Sequence, residues 1–291
     1  MSWRTVIISE NAKLDYQLGY MVVRKSNITK IHLSEISTLI IETTAVSLTT
    51  SLLCELIKSK IKVIFCDEKR NPSSELVPYY GCYDSSRRVR NQIKWDYYTK
   101  KEVWTNIVKQ KIIFQADLLH EIGKLDEEKL IRNYIDEICF GDETNREGHS
   151  AKVYFNALFG LDFKRDSACN INSALNYGYS ILLSVFNREI SACGYITQIG
   201  IFHNNIFNYF NLSSDLIEPF RSIVDKEVYN MELNKFEKEE KIKLVSILNK
   251  EIFIGGRKEY LNNAIGIYCR SVFDALNENN PTIIEFYRNE L

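Results

Sequence analysis

The chain has 291 residues and a formal net charge of −1, with 45% hydrophobic, 12% aromatic and 26% charged residues. This globular composition excludes wholesale disorder, and the length suits two domains of ~150 residues each. No signal-peptide pattern opens the sequence and no run of about 18 apolar residues occurs, so we predict a cytoplasmic protein without a membrane segment. The seven cysteines are widely spaced and form no Cys-x-x-Cys pair, which is typical of reduced thiols.

Residues 1–70 predict a small β-rich domain with one helix. Short segments rich in Val, Ile, Thr and Tyr alternate with turn-forming residues, as strands do. The expected strands are Arg4 to Ser9, Leu14 to Gln17, Tyr20 to Arg24, Ile28 to Leu33, Thr38 to Glu42 and Lys62 to Cys66. Leucines and isoleucines at helical spacing predict the helix at 47–59.

Residues 71–86 predict an interdomain linker. This stretch contains Pro72 and Pro78, two of the four prolines of the chain, together with Gly81 and a serine pair at its end. Such residues interrupt helices and strands.

The sequence of residues 87–291 predicts a larger, all-α domain, which would carry any catalytic site. Helical periodicity recurs from here to the C-terminus. The expected helices are 87–98, 101–122, 126–139, 145–159, 173–192, 214–230, 237–250 and 258–277. The fold class is therefore α+β, with two domains.

Charge is distributed unevenly along the chain. Residues 84–111 contain eight Lys or Arg against three acids, whereas residues 121–147 contain nine acids against four bases. A nearly neutral protein can therefore present a strongly basic face. A solvated helix face is the alternative.

The segment from Ser213 to Arg221 contains two acids three residues apart. On a helical turn Asp215 and Glu218 lie on one face, and Pro219 suits the start of a helix. Acids are also common at helix starts because they complement the helix dipole. A metal role therefore needs a second element.

His203 and Glu147 are the other candidate metal ligands. His203 lies in a glycine-containing turn between apolar residues. A histidine in such a setting is more often a core residue than a metal ligand. Glu147 precedes Tyr154 and Leu158 on one apolar stripe, which would turn its carboxylate inward. A buried acid needs a cation, a hydrogen-bond network or an arginine partner.

The sequence contains no Gly-x-Ser-x-Gly elbow, Walker loop or Gly-x-Gly-x-x-Gly. Acyl transfer and nucleotide-driven chemistry are therefore disfavoured.

Three segments together carry a family resemblance. In order, Asn145-Arg-Glu-Gly-His-Ser-Ala-Lys-Val-Tyr-Phe, Gly200-Ile-Phe-His203 and Asp215-Leu-Ile-Glu-Pro-Phe-Arg221 resemble the integrase of CRISPR adaptation, the first of the numbered CRISPR-associated proteins. The opening Met1-Ser-Trp-Arg-Thr-Val-Ile-Ile-Ser and the run Ala174-Leu-Asn-Tyr-Gly-Tyr-Ser-Ile-Leu-Leu resemble its type II-A branch. The resemblance covers nearly the whole chain.

The resemblance implies a site and a reaction. Glu147, His203 and Glu218 would be the catalytic metal ligands for Mg²⁺ or Mn²⁺, with Asp215 as a supporting group or extra ligand. The 3′-hydroxyl ends of a short DNA, the prespacer, would attack phosphodiesters at the CRISPR repeat. Arg146 and Arg221 would lie near the reacting phosphate, or would instead orient a carboxylate by a salt bridge. Farther away, the DNA backbone would contact Arg87, Arg88, Arg90 and Lys94, unless these form only a solvated helix face.

The resemblance also implies partners. Family members form homodimers around a small ferredoxin-like partner, giving a heterohexamer on DNA. The effector nuclease and a ring-forming accessory protein are further expected partners. Two other functions stay open from the sequence: a metal-dependent nuclease of branched DNA without integration, and a non-catalytic DNA-binding scaffold.

Overall fold

The computed structural model describes residues 4–78, 82–231 and 233–288. Residues 1–3 of the opening segment and residues 79–81 of the expected linker lie outside the described part. The N-terminal region contains one helix, α1 (Thr50–Lys58), and eight strands. The strands are β1 (Arg4–Ile8), β2 (Ala12–Gln17), β3 (Tyr20–Arg24), β4 (Ile28–His32), β5 (Ile36–Ile41), β6 (Val46–Leu48), β7 (Lys62–Cys66) and β8 (Pro72–Glu75).

Two four-stranded sheets build this region. The first has the order β1-β5-β7-β8, in which β5 runs parallel to β1 and β7, and β8 is antiparallel to β7. The second has the order β4-β3-β2-β6. In the first sheet, alternate residues face different cores: Leu39 and Val63 pack into the core of the N-terminal region, while Ile40 and Ile64 pack into the helical core. This period of two explains why every residue of β5 is buried.

The C-terminal region is helical, as predicted, and contains most of the larger apolar core. Its helices are α2 (Ser85–Ile93), α3 (Tyr97–Glu121), α4 (Leu125–Asp136), α5 (Arg146–Phe159), α6 (Asn170–Ala192), α7 (Asn211–Leu216), α8 (Arg221–Tyr229), α9 (Lys238–Ser246) and α10 (Leu261–Glu278). No helix in the described part of the chain is long and apolar enough to cross a membrane.

The prediction of an entirely α-helical C-terminal region was wrong at one place. Strands β9 (Glu251–Ile254) and β10 (Arg257–Tyr260) pair antiparallel, so α10 begins three residues after the predicted start at 258. Gly255 and Gly256 join the strands with φ of 59° and 76°. Two glycines with positive φ form the tight turn of a hairpin, which here prevails over the helical pattern on either side.

Two further boundaries differ from the sequence prediction. Strand β8 lies inside the expected linker 71–86, because residues 72–75 pair with β7 at the edge of the first sheet. The expected helix 214–230 is divided into α7, a 3-10 turn at Glu218–Phe220, and α8. Pro219 explains the break, since proline has no amide hydrogen to continue α7.

Candidate metal centre

Glu147 is positioned by the first turn of α5. The Asp142 carboxylate accepts hydrogen bonds from the backbone amides of Arg146 and Glu147 at 2.8 and 3.0 Å, and Asn145, with φ of 53°, caps the amide of Gly148. These contacts satisfy amides that a helix start leaves without partners. The Glu147 side chain is thereby fixed toward α3.

His203 is oriented by Asp215. The fully buried Asp215 carboxylate accepts from the backbone amides of Ile201, Phe202 and His203 at 2.6, 3.1 and 3.0 Å. Its Oδ1 also lies 2.6 Å from Nδ1 of His203. An imidazole that donates through Nδ1 presents the lone pair of Nε2 to a ligand. This hydrogen bond is the main cause of the raised pKa of His203, to which the charges of Asp215, Glu218 and Glu147 add while burial opposes.

Glu218 lies in the 3-10 turn between α7 and α8, with 4% of its side chain exposed. Its two carboxylate oxygens contact different cations: Oε2 lies 2.5 Å from Nζ of Lys111 and Oε1 lies 2.9 Å from Nη2 of Arg221. Burial alone would raise the pKa of Glu218, but the charges of Arg221 and Lys111 outweigh it and lower the pKa. The carboxylate therefore stays ionised in the interior.

Lys111 on α3 is the residue that sequence reasoning missed. Its ammonium contacts Glu147 at 2.6 Å as well as Glu218, so one buried cation bridges two of the three predicted ligands. Burial opposes protonation, but the charges of Glu218 and Glu147 raise the pKa of Lys111 above its ordinary value. The signal in the sequence was the helical spacing of Lys111 with Ile107, Val108 and Phe114, which places it on a buried face where a lysine needs an acid as partner.

The structure brings two of the predicted ligands, Glu147 and Glu218, together at Lys111, and His203 lies close enough for the charges of both to raise its pKa. Among the described residues no three His, Cys, Asp or Glu side chains stand close enough to enclose a metal ion, and the ammonium of Lys111 lies between Glu147 and Glu218. The donor set nevertheless fits Mg²⁺ or Mn²⁺: two carboxylates offer hard oxygen ligands, and His203 offers one imidazole nitrogen. A divalent ion would replace the charge of Lys111.

The two predicted active-site arginines are placed differently. Arg221 pairs with Glu218 and lies over the ring of Tyr179, 4.7 Å from its centroid. Arg146 instead pairs with Glu137 at 3.1 Å, so the structure does not bring its guanidinium to the carboxylates. Arg221 thus matches the alternative in which an arginine orients a metal-binding carboxylate.

The predicted basic helix, α2, is attached to the turn that leads to His203. The buried Gln92 donates to the carbonyl oxygens of Ile196 and Ile199, each at 2.8 Å. Arg87 and Arg88 both pair with Asp84. The other two predicted DNA-binding residues, Arg90 and Lys94, are exposed.

A buried carboxylate adjoins the site. Asp225 accepts hydrogen bonds from the hydroxyls of Tyr154, at 3.0 Å, and Tyr179. Burial raises the pKa of Asp225 to about 6, against the effect of both tyrosine hydrogen bonds and of Arg221. Its ordinary value is 3.8, so the folded protein holds this proton more tightly than the unfolded chain.

This shift predicts a pH dependence of stability. The contribution of Asp225 to the free energy of unfolding is fully present below the unfolded pKa of 3.8 and falls as pH rises to about 6, a loss of roughly 3 kcal/mol in total. Asp225→Asn should remove this slope. Urea unfolding between pH 4 and 7 measures it, with the exposed Asp126→Asn as control. Parallel curves for wild type and Asp225→Asn would contradict the assignment.

Fold and site together define a class: a β-rich region joined to a helical region in which two glutamates share one buried lysine, near a histidine that an aspartate orients. The family model described as CRISPR associated protein Cas1 matches residues 5–252. A CRISPR-associated endonuclease Cas1 of Neisseria meningitidis serogroup C (strain 8013) is 32% identical over 232 residues, covering 79% of this chain and 76% of the relative. The chain belongs to the Cas1 family.

Two solved structures share the fold. A casposase bound to integration product has a TM-score of 0.74 at 19% identity, over 96% of this chain and 91% of that chain. A chain of a Cas6-RT-Cas1–Cas2 complex has a TM-score of 0.72 at 14% identity and covers 97% of this chain. This chain spans only 36% of that longer chain.

Proposed function

We propose that this protein is a metal-dependent DNA integrase and endonuclease of CRISPR adaptation, which joins the 3′-hydroxyl ends of prespacer DNA to phosphodiesters at the CRISPR repeat. The observation that carries the proposal is the convergence of Glu147 and Glu218 on one buried cation beside an imidazole fixed by Asp215. Family membership supports it, as do the endonuclease name of the Neisseria relative and the integration product held by the casposase.

Glu147, His203 and Glu218 would hold Mg²⁺ or Mn²⁺. The bound ion would supply charge stabilisation at the reacting phosphate and activate the attacking hydroxyl. The protein contributes orientation: Asp215 fixes the ring of His203, and Arg221 fixes one oxygen of Glu218. Exchange of one phosphodiester for another requires no nucleotide hydrolysis.

The expected assembly is part of the proposal. Homodimers joined by a small ferredoxin-like protein into a heterohexamer would hold the DNA, and the Cas6-RT-Cas1–Cas2 complex, which contains Cas2, supports a Cas partner. Arg87 and Arg90 on α2, and Lys94 at its end, are exposed candidates for backbone contacts. The cytoplasm, where the DNA lies, is the proposed location, and the type II-A branch stays a prediction.

Integration of a labelled short duplex into a repeat-containing plasmid tests the function. The protein and its small partner are incubated with Mn²⁺, with EDTA, and with His203→Ala in place of the wild type. His203 is the best position for substitution because its side chain is 37% exposed, whereas truncating Glu218 would leave Lys111 and Arg221 as buried cations without their shared partner.

We expect metal-dependent joining that His203→Ala abolishes and that the exposed His149→Ala retains. Metal-dependent cleavage without joining would instead identify a nuclease of branched DNA. Tight DNA binding without chemistry would identify a scaffold. Joining by His203→Ala at the wild-type rate would refute the ligand set.

A further inference from the structure

A cavity lies between the N-terminal sheet and the helical region, apart from the candidate metal centre. Its volume is about 780 Å³, within the range of small-molecule sites. One wall comprises the loop from α1 to β7 and residues 75–78 at the end of β8 and after it. The other comprises the end of α6, one face of α10 and two residues of β10. None of the predicted metal ligands lines it, so this cavity is separate from the metal centre.

The lining of this cavity carries an excess of positive charge. It comprises six cations, Lys58, Lys60, Lys62, Arg188, Arg257 and Arg270, and three acids, Glu75, Glu189 and Glu259. Each acid pairs with one cation, Lys62 with Glu75, Arg188 with Glu189 and Arg257 with Glu259, while Lys58 pairs with Glu55 outside the cavity. Across the described ranges the ion pairs include no carboxylate partner for Lys60 or Arg270. The charge of these two cations matches a phosphate monoester, which carries nearly two negative charges at neutral pH.

Burial of one of these cations reinforces the preference for an anion. Only 4% of the Lys62 side chain is exposed, and burial, together with the nearby charge of Arg188, lowers the pKa of Lys62 to about 7. A buried ammonium with a like charge beside it is stabilised by an additional anion. A phosphate near Lys62 and Arg188 would therefore stabilise the charged form of Lys62 in addition to its partner Glu75.

An unsatisfied polar atom lies farther along the same wall. Asn262, in the first turn of α10, is 9% exposed, and its Oδ1 is buried without a hydrogen-bond partner. Native proteins rarely leave such an atom unpaired, so it marks a place where a ligand would donate an N–H or O–H. A spacing of four residues places three residues of α10 on one helix face: Asn262, Gly266 and Arg270.

The spacing of these groups suits a nucleotide. Asn262 and Arg270 are separated by eight residues, or about 12 Å along the axis of α10 at 1.5 Å per residue. A mononucleotide spans a comparable length from its phosphate to the far edge of its base. Gly266 lies midway between them, and the space over it is occupied by Glu189, whose Oε2 a Cβ at this position would meet at 2.9 Å.

We propose that this cavity binds a nucleotide through its terminal phosphate, with the phosphate between Lys60, Lys62, Arg188 and Arg270 and a base or sugar donor at Asn262. The terminal phosphate belongs either to a free mononucleotide or to the 5′ end of a DNA strand. The site does not depend on the proposed integrase chemistry, and binding to it is measured without divalent metal.

Isothermal titration of the full chain in EDTA tests this site. The probes are dAMP, deoxyadenosine, inorganic phosphate, and a trinucleotide with either a 5′-phosphate or a 5′-hydroxyl. We expect dAMP to bind at least tenfold more tightly than deoxyadenosine. Tighter binding of the phosphorylated trinucleotide than of dAMP would assign the site to a strand end, and the reverse order would assign it to a free nucleotide.

Variants assign the binding to this cavity. Arg270→Gln and Lys60→Gln, both at exposed positions, should each weaken dAMP at least tenfold. Asn262→Leu should weaken dAMP but leave inorganic phosphate unchanged, and Lys226→Gln, which removes a cation outside this cavity, should bind like the wild type. Absence of dAMP binding, or equal affinity in wild type, Arg270→Gln and Lys60→Gln, would overturn the proposal.

Discussion

Replacing Lys111 by methionine is expected to destabilise the metal-free protein and to strengthen its binding of Mn²⁺. Without the ammonium, the carboxylates of Glu147 and Glu218 lose the cation that both contact. Removing one partner of a buried ion pair costs about 3–5 kcal/mol. The same change removes the group that competes with a divalent ion for both carboxylates, so the dissociation constant for Mn²⁺ should fall at least tenfold.

Thermal unfolding in EDTA and in Mn²⁺, together with direct Mn²⁺ titration, measures both effects. The variant should unfold well below the wild type in EDTA, and Mn²⁺ should raise its melting temperature more than it raises that of the wild type. Lys101→Met is the matched control, since Lys101 lies on the same helix and also pairs with one glutamate at 2.6 Å, Glu143. A Lys111→Met protein that responds to Mn²⁺ no more than this control would show that Lys111 does not occupy the metal position.

Replacing Asp215 by asparagine is expected to lower integration activity about 10- to 100-fold, the usual effect of losing the group that orients a metal-binding histidine. One Asp215 carboxylate accepts from three backbone amides and from His203. In the asparagine variant an NH₂ group, which donates and does not accept, replaces one of the two oxygens. Whichever oxygen is replaced, at least one donor among the backbone amides and the ring loses its acceptor. Each unsatisfied buried donor costs about 1–3 kcal/mol.

Three quantities are measured for Asp215→Asn: the affinity for Mn²⁺, the integration rate and the free energy of unfolding. The affinity for Mn²⁺ separates an orienting role from a purely structural one. Loss of Mn²⁺ affinity in a protein that remains folded at the assay temperature supports the orienting role. The exposed Asp126→Asn serves as the control for a lost carboxylate. Wild-type affinity and rate in Asp215→Asn would leave Asp215 with a structural role only.

Local patterns in the sequence determined most of the secondary structure. Strand β3 follows from its content of valine and tyrosine, and the helix around Tyr154 and Leu158 follows from helical spacing of apolar residues, because that period reflects which face is buried. Turn chemistry was decisive where the prediction failed. Gly255-Gly256 forms a hairpin, and Pro219 ends a helix that the apolar pattern alone would continue.

The sequence also identified Glu147, His203, Asp215 and Glu218 as one candidate site, because residue type and family motif are local properties. Only the tertiary structure decided how those groups interact. Lys111 lies 36 residues from Glu147 and 107 from Glu218, and no local pattern specifies a contact over such separations. The same holds for Arg146, which the sequence places next to a ligand but which turns to Glu137. Long-range side-chain contacts arise from packing of α3, α5 and the turn before α8, so the charge balance of the site was determined by the fold.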